Sequence, residues 1–245
     1  MWQRLKGVTL LQHSLTYLRI LQPVGYMAER LRRRSPLAAP LSLFAGPLDG
    51  LLRARLPVGA QRRWAYNASH DERLVEDSIS PQVLIGLLPR FLAEYQIRPA
   101  WTPESIERIL VDAAAKPNFG PLSLQVVKSA GGEPVGAFAY HGRPGRTAHV
   151  LQVFATRRHA KSVVDRMFSH AARAGMVAVV GRTEPHLLQA LAGSETVLFH
   201  DAASAVHSRD PELVAAYQRG DGFLNGLAGE TWSRLIGDDF RGQSH

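Results

Sequence analysis

The stretch from His149 to Val180 constrains the fold of this 245-residue chain more than any other. His149 to Ala155 is a mostly apolar run. From about Ser162 to Ala174, Val163, Val164, Met167, Phe168 and Ala171 recur at helical spacing, and Gly175 stands where a helix C-terminus ends. Met176-Val177-Ala178-Val179-Val180 is then apolar without a break, the mark of a strand buried on both faces. Strand, helix and buried strand in that order close as a right-handed crossover with the two strands parallel. A parallel pair needs helices over both faces of its sheet, so the chain is read as α/β.

Three strands precede this unit. Leu122, Leu124 and Val126 alternate with polar or small neighbours, Gly131-Gly132 turns the chain, and Val135 to Tyr140 runs back. Gly142-Arg143-Pro144-Gly145 is a second turn before the strand at His149. Two tight turns between three strands predict an antiparallel meander. Upstream, Ser80-Pro81 and Thr102-Pro103 each pair a capping side chain with proline at the first helical position. Leu84, Leu87, Leu88, Phe91, Leu92 and Tyr95 give the first of these helices its apolar stripe. Arg73 to Ile79 is read as a short strand before it. After Val180, a short helix is expected from Pro185, one or two strands within Thr196 to His207, a helix after Asp210-Pro211, and a last strand at Gly222-Phe223-Leu224.

The N-terminal quarter reads differently. Residues 1–63 hold eleven Lys/Arg against two Asp/Glu, while residues 64–245 hold eighteen against nineteen, so the whole net charge of +8 belongs to the first quarter. Val8, Leu11, Leu15 and Leu18 fall on one face at helical spacing, and Pro23-Val24-Gly25 interrupts. Residues 1–63 are therefore expected to form a basic, mainly helical arm, and residues 64–245 the folded domain. The arm has three readings: a helix pair docked on the domain, a helix lying on an anionic membrane surface through residues 17–34, or a nucleic-acid contact. The near-neutral remainder offers no broad basic face and argues against the last. With no cysteine, disulfides and thiolate metal sites are excluded. No run approaches the ~18 apolar residues of a membrane span. A cytoplasmic protein is expected, membrane-associated if the arm binds lipid.

The element order resembles the GNAT acyltransferase superfamily over about residues 70–230. The end of the chain resembles the C-terminal GNAT-like half of tandem or FemAB-type acyltransferases. There a helix after Asp210-Pro211 is followed by Gly220-Asp221-Gly222-Phe223-Leu224 and by Gly229-Glu230-Thr231-Trp232. The resemblance implies acetyl-CoA or another acyl-CoA as cosubstrate, an amine as acceptor, and no metal. It implies that Val153 and Phe154 pair with pantetheine and that the turn Arg157-Arg158-His159-Ala160-Lys161-Ser162 takes the pyrophosphate. Backbone N–H groups and a helix N-terminus suit that anion. The family pattern there is Arg/Gln-x-x-Gly-x-Gly/Ala, and Ala160 and Ser162 stand in place of small glycines, which narrows the approach to the backbone. Three cations at a helix N-terminus oppose the helix dipole, and a visiting anion explains them better than a solvated helix start. Acyl transfer also needs a base and often a tyrosine acid. Glu184 and His186 follow the central strand, with His200 and His207 further on, and Tyr140 with His141 stands on the acceptor side. Two readings stay open: an acyl-CoA-dependent N-acyltransferase, and a non-catalytic GNAT-like module for protein or membrane-surface contact.

Overall fold

The computed structural model describes residues 7–35, 40–55, 74–116, 118–200 and 202–229. The expected boundary at residues 63/64 and the tail from Glu230, with Trp232, lie outside them. The elements are β1 (Val8–Thr9), α1 (Leu11–Ser14), β2 (Leu15–Ile20), α2 (Pro23–Arg34), α3 (Leu41–Arg55), β3 (Leu74–Ser78), α4 (Pro81–Leu92), α5 (Pro103–Ala114), β4 (Leu122–Ser129), β5 (Pro134–His141), β6 (Thr147–Ala155), α6 (Ala160–Arg173), β7 (Ala178–Arg182), α7 (Leu188–Ala192), β8 (Val197–His200), β9 (Ala205–Val206) and α8 (Pro211–Arg219).

Seven strands form one mixed sheet in the order β3-β4-β5-β6-β7-β2-β8. The meander β4-β5-β6 is antiparallel, β6 and β7 are parallel, and α6 crosses between them, as the apolar pattern predicts. Ser80, Thr102 and Asp210 cap α4, α5 and α8, accepting from the backbone N–H of Val83, Ser105 and Glu212. Each such cap satisfies a donor the helix leaves open and contributes roughly 1 kcal/mol.

Two cores flank the sheet. On one face, Val163, Val164, Met167, Phe168 and Ala171 of α6 pack fully buried against Tyr17, Phe138, Val150 and Val179. Burial of each large side chain is worth roughly 1.5–3 kcal/mol. Gly136 lets α6 approach, because a Cβ there would stand 2.4 Å from a methyl of Val163. On the other face, Leu84, Leu88 and Phe91 of α4 and Ile106 and Leu110 of α5 cover Leu124, Ala137, Ala139 and Leu151.

The helical reading of residues 8–22 is corrected. Leu15–Ile20 is a strand deep in the sheet, antiparallel to β7 on one side and to β8 on the other. Tyr17 points into the α6 core, and Arg19, also buried, donates to the Glu195 carbonyl at 2.7 Å. β2 carries apolar residues on both of its faces, Tyr17 on one and Leu18 and Ile20 on the other, so it lacks the polar–apolar alternation that marks most strands, and a short apolar run then fits a helical stripe equally well. Residues 26–34 are helical as expected, though the helix already starts at Pro23, where a break was expected, and the residues before it complete the sheet. Gly222-Phe223-Leu224 is not a strand either. Gly222 makes a single parallel bridge to Ile97, and the chain then turns through a 3-10 segment at Gly226–Ala228.

Candidate active site

Strands β6 and β7 pair only over Thr147↔Ala178, Ala148↔Val179 and His149↔Val180. Beyond that point they diverge, and the chain's own residues 225–227 cross the gap. The Asn225 side-chain amide donates to the carbonyls of Thr183 at 2.6 Å and His13 at 2.9 Å, and its backbone N–H donates to the Glu184 carboxylate at 2.9 Å. On the β6 side, the Leu227 N–H donates to the Gln152 side-chain oxygen at 3.0 Å. Gly226, with φ of +61°, makes the turn between these contacts. A Cβ there would lie 1.8 Å from the Gln152 oxygen and 2.5 Å from the Leu151 carbonyl, so no side chain fits.

Glu184 lies at the head of this gap and is fully buried. Burial pushes its carboxyl up to about 8, against the opposing pull of the Asn225 and Leu224 backbone groups and the Arg182 charge. Its second oxygen is 4.0 Å from His13 Nε2 and has no hydrogen-bond partner. That histidine nitrogen is also 3.0 Å from the Gly222 carbonyl, which can only accept, so the proton sits on Nε2. Burial holds His13 below its ordinary value and therefore neutral.

His186 lies beside this cluster, with Nδ1 2.6 Å from the Tyr95 hydroxyl. Burial, followed by the nearby Arg157 charge, pushes the imidazole down to about 4. Burial and the Glu184 charge push the Tyr95 phenol far up. Tyr95 also packs edge-on to Phe223 at 5.2 Å. Sequence reasoning missed Tyr95 because it closes the apolar stripe expected for this helix and reads as core, whereas α4 ends at Leu92 and Tyr95 stands in the loop beyond it. Of the three expected catalytic residues, Glu184 and His186 come together and Tyr140 does not join them. Tyr140 packs with Phe138 under α6, its hydroxyl 2.8 Å from His170 Nδ1.

At the far end of β6, Val153 is buried in the α6 core, and Phe154 stacks between Phe91 and Phe223. The turn that follows is a 3-10 segment, Arg157–His159, leading into α6. Thr156 Oγ1 meets His159 Nδ1 at 2.8 Å, and Ala160 is right-handed and buried. Ser162 is half-buried and Arg158 exposed. Chain carboxylates already engage this turn. The Arg157 N–H donates to Glu94 at 3.1 Å, the Arg157 guanidinium pairs with Asp221 at 3.0 Å, and Lys161 pairs with Asp165. The anion that three N-terminal cations call for is thus supplied internally, at least in part, by Glu94 and Asp221. Among the described residues no group of three or more His, Asp or Glu is placed to hold a metal, and no helix is long and apolar enough to cross a membrane.

The sheet order, crossover and divergent parallel pair define a mixed α/β domain of the kind expected from the sequence. No family model and no curated protein matches this chain. Similar solved structures include glucosamine-6-phosphate N-acetyltransferase from Arabidopsis thaliana, with a TM-score of 0.38 and 11% identity over 57% of this chain and 100% of that one. A probable N-acyltransferase from Enterococcus faecalis gives 0.45 and 8% over 84% of this chain and 42% of that one. Saccharomyces cerevisiae N-myristoyltransferase with bound myristoyl-CoA gives 0.38 and 12% over 69% and 43%. This chain thus spans under half the length of the last two, and likenesses this distant carry no residue roles to it.

Proposed function

We propose that this chain is an acyl-CoA-dependent N-acyltransferase of GNAT type that carries its cleft in a closed form. The observation that carries the reading is the divergence of β6 and β7 onto the buried Glu184 carboxyl, poised near neutrality at about 8. Perturbed titratable groups in a cleft favour a catalytic role. In the proposed reaction the amine nitrogen attacks the thioester carbonyl, a C–N bond forms and the C–S bond breaks. Glu184 takes the amine proton, and the Tyr95 hydroxyl, hydrogen-bonded to His186, returns one to the thiolate. Val153 and Phe154 offer backbone to pantetheine, and the turn from Arg157 to Ser162 takes the pyrophosphate once Glu94 and Asp221 release Arg157. Entry along β6 further requires Asn225–Leu227 to leave the gap. Calorimetric titration with acetyl-CoA and longer acyl-CoA thioesters tests this: saturable binding is expected, and no heat at millimolar ligand overturns it.

The hydrogen-bonded bridge across the gap favours a second reading, a GNAT-like module that uses its surface and not its cleft. Met27 and Leu31 of α2 and Leu48, Leu51 and Leu52 of α3 are exposed apolar residues beside the cationic Arg30 and Arg34. That combination suits an anionic membrane surface. Cosedimentation with vesicles containing phosphatidylglycerol should retain the full chain and lose the Met27→Gln/Leu31→Gln variant. Equal retention of both dismisses this surface. Deleting residues 1–63 is unsuited as a control, because it removes β2 from the sheet.

A further inference from the structure

The helical layer of α4 and α5 lies over β4 to β6, and among the described residues the same face is only partly covered over β7, β2 and β8: Thr16 and Ala178 are buried, Leu18 and Val180 half-buried. Leu18 of β2 stands opposite Val180 of β7, with Phe199 of β8 diagonal to them. Phe199 is 40% exposed and its strand neighbour on that face, Val197, 57%, in a sheet whose opposite face is closed by α6. Helix α2 crosses the edge of this surface and leaves a groove of about 320 Å³, floored by Leu18, Val180 and Phe199 and rimmed by Arg30, Arg33 and Arg34. Such a volume is at the lower edge of ligand pockets.

The walls are held in place from beneath. Glu29 is buried, accepts from the Thr147 N–H at 2.9 Å and from its hydroxyl, and pairs with Arg33 at 2.8 Å. Arg33 thereby spends part of its five-donor guanidinium on Glu29 and presents the rest outward. Arg30 lies over the Tyr26 ring at 5.9 Å, which fixes its head at the rim. His149 closes the inner end, 4.5 Å from the Phe119 ring. Among the described residues the one lining carboxylate, Glu29, is already engaged, so the rim they form keeps a net positive charge over an apolar floor. The complementary ligand has an anionic head and a short apolar body.

We infer that the groove between α2 and the partly open face of β7, β2 and β8 binds a carboxylate carrying an apolar body. At about 30 Å³ of liquid volume per water-sized group, it holds roughly ten heavy atoms, the size of octanoate. The head pairs with Arg30 and Arg33, and the body lies on Leu18, Val180 and Phe199. The site is separate from the gap crossed by residues 225–227, and it stands whether or not the chain transfers an acyl group.

Titration of the full chain with octanoate, followed by backbone amide NMR, tests it. Saturable binding is expected, with shifts centred on Leu18 and Val180 and not on Gly226. Acetate, which lacks the body, and octanol, which lacks the charge, should each bind about tenfold more weakly. The Arg30→Gln/Arg33→Gln variant alters exposed heads and should lose about tenfold in octanoate affinity, the scale of one charge-assisted hydrogen bond. Phe199→Ser should weaken octanoate but not acetate, which keeps a readout should the arginine variant misfold. Octanoate no tighter than acetate, unchanged affinity in both variants, or shifts at Val180 with phosphatidylglycerol vesicles but not with octanoate overturns the inference.

Discussion

Where β6 and β7 part beyond His149↔Val180, the gap is crossed by Asn225–Leu227 and its charges are internally matched: Glu184 to the Asn225 amide, Arg157 to Glu94 and Asp221. Where the same two strands pair, at Thr147 to His149, the neighbouring sheet face is partly open, and among the described residues the Arg30, Arg33 and Arg34 rim meets one engaged carboxylate, Glu29. One end of the pair is thus polar and largely paired within the chain, apart from the second Glu184 oxygen, and the other is apolar, partly open and cationic. The contrast teaches that burial without a ligand makes the chain supply most partners itself, since an unpaired buried polar group costs about 1–3 kcal/mol, a cost still carried by the second Glu184 oxygen. The open end carries no such requirement and keeps its surface for something else.

Breaking the closed end should give the largest effect. Gly226→Val forces a Cβ into Gln152 and Leu151 and denies the positive φ, so a loss on the order of 3 kcal/mol is expected in urea unfolding. A neutral result would mean that residues 225–227 do not hold the gap. Asn225→Ala strips the buried carbonyls of Thr183 and His13 of a donor. A loss of roughly 2 kcal/mol should follow, with faster amide exchange at Leu227.

Glu184→Gln sharpens the comparison through pH. Because the folded carboxyl is raised from 4.5 to about 8, the folded state binds the extra proton. Its contribution is present below pH 4.5 and is lost as pH rises through about 8. The wild type should weaken over that window while Glu184→Gln does not, as thermal unfolding against pH would show. His186 and His149, both depressed to about 4, act in the opposite sense: their contribution, present above 6.5, is lost as pH falls through 4. Equal pH profiles for wild type and Glu184→Gln would show that this carboxyl is not the titrating group. The smallest effect belongs to Glu94→Gln. Its contact with Arg157 is solvent-exposed, so under about 1 kcal/mol of stability should change, but the freed turn should bind acyl-CoA severalfold more tightly.

Much of the sheet was legible because its signals are local. The apolar run at Met176–Val180, the glycine turns of the meander and the caps Ser80, Thr102 and Asp210 each act within a few residues. β2 was not legible, since a six-residue strand with apolar residues on both faces shows neither period cleanly. The candidate site was legible only where the chain is continuous, at Glu184 and His186 after β7. Tyr95, His13 and Asn225 reach it from the loop after α4, from α1 and from the C-terminal end, and no spacing rule joins positions 41 to 212 residues apart. The Ala160 and Ser162 substitutions in the turn were legible as a narrowed anion site, but the carboxylate of Glu94 that fills it was not.

The most direct test of the account is amide exchange at Asn225–Leu227 during titration with acetyl-CoA. Saturating acyl-CoA is expected to release those amides while Val180 stays protected, with the same midpoint as the calorimetric heat. Binding that leaves Asn225–Leu227 protected, or no binding at millimolar acyl-CoA, contradicts it.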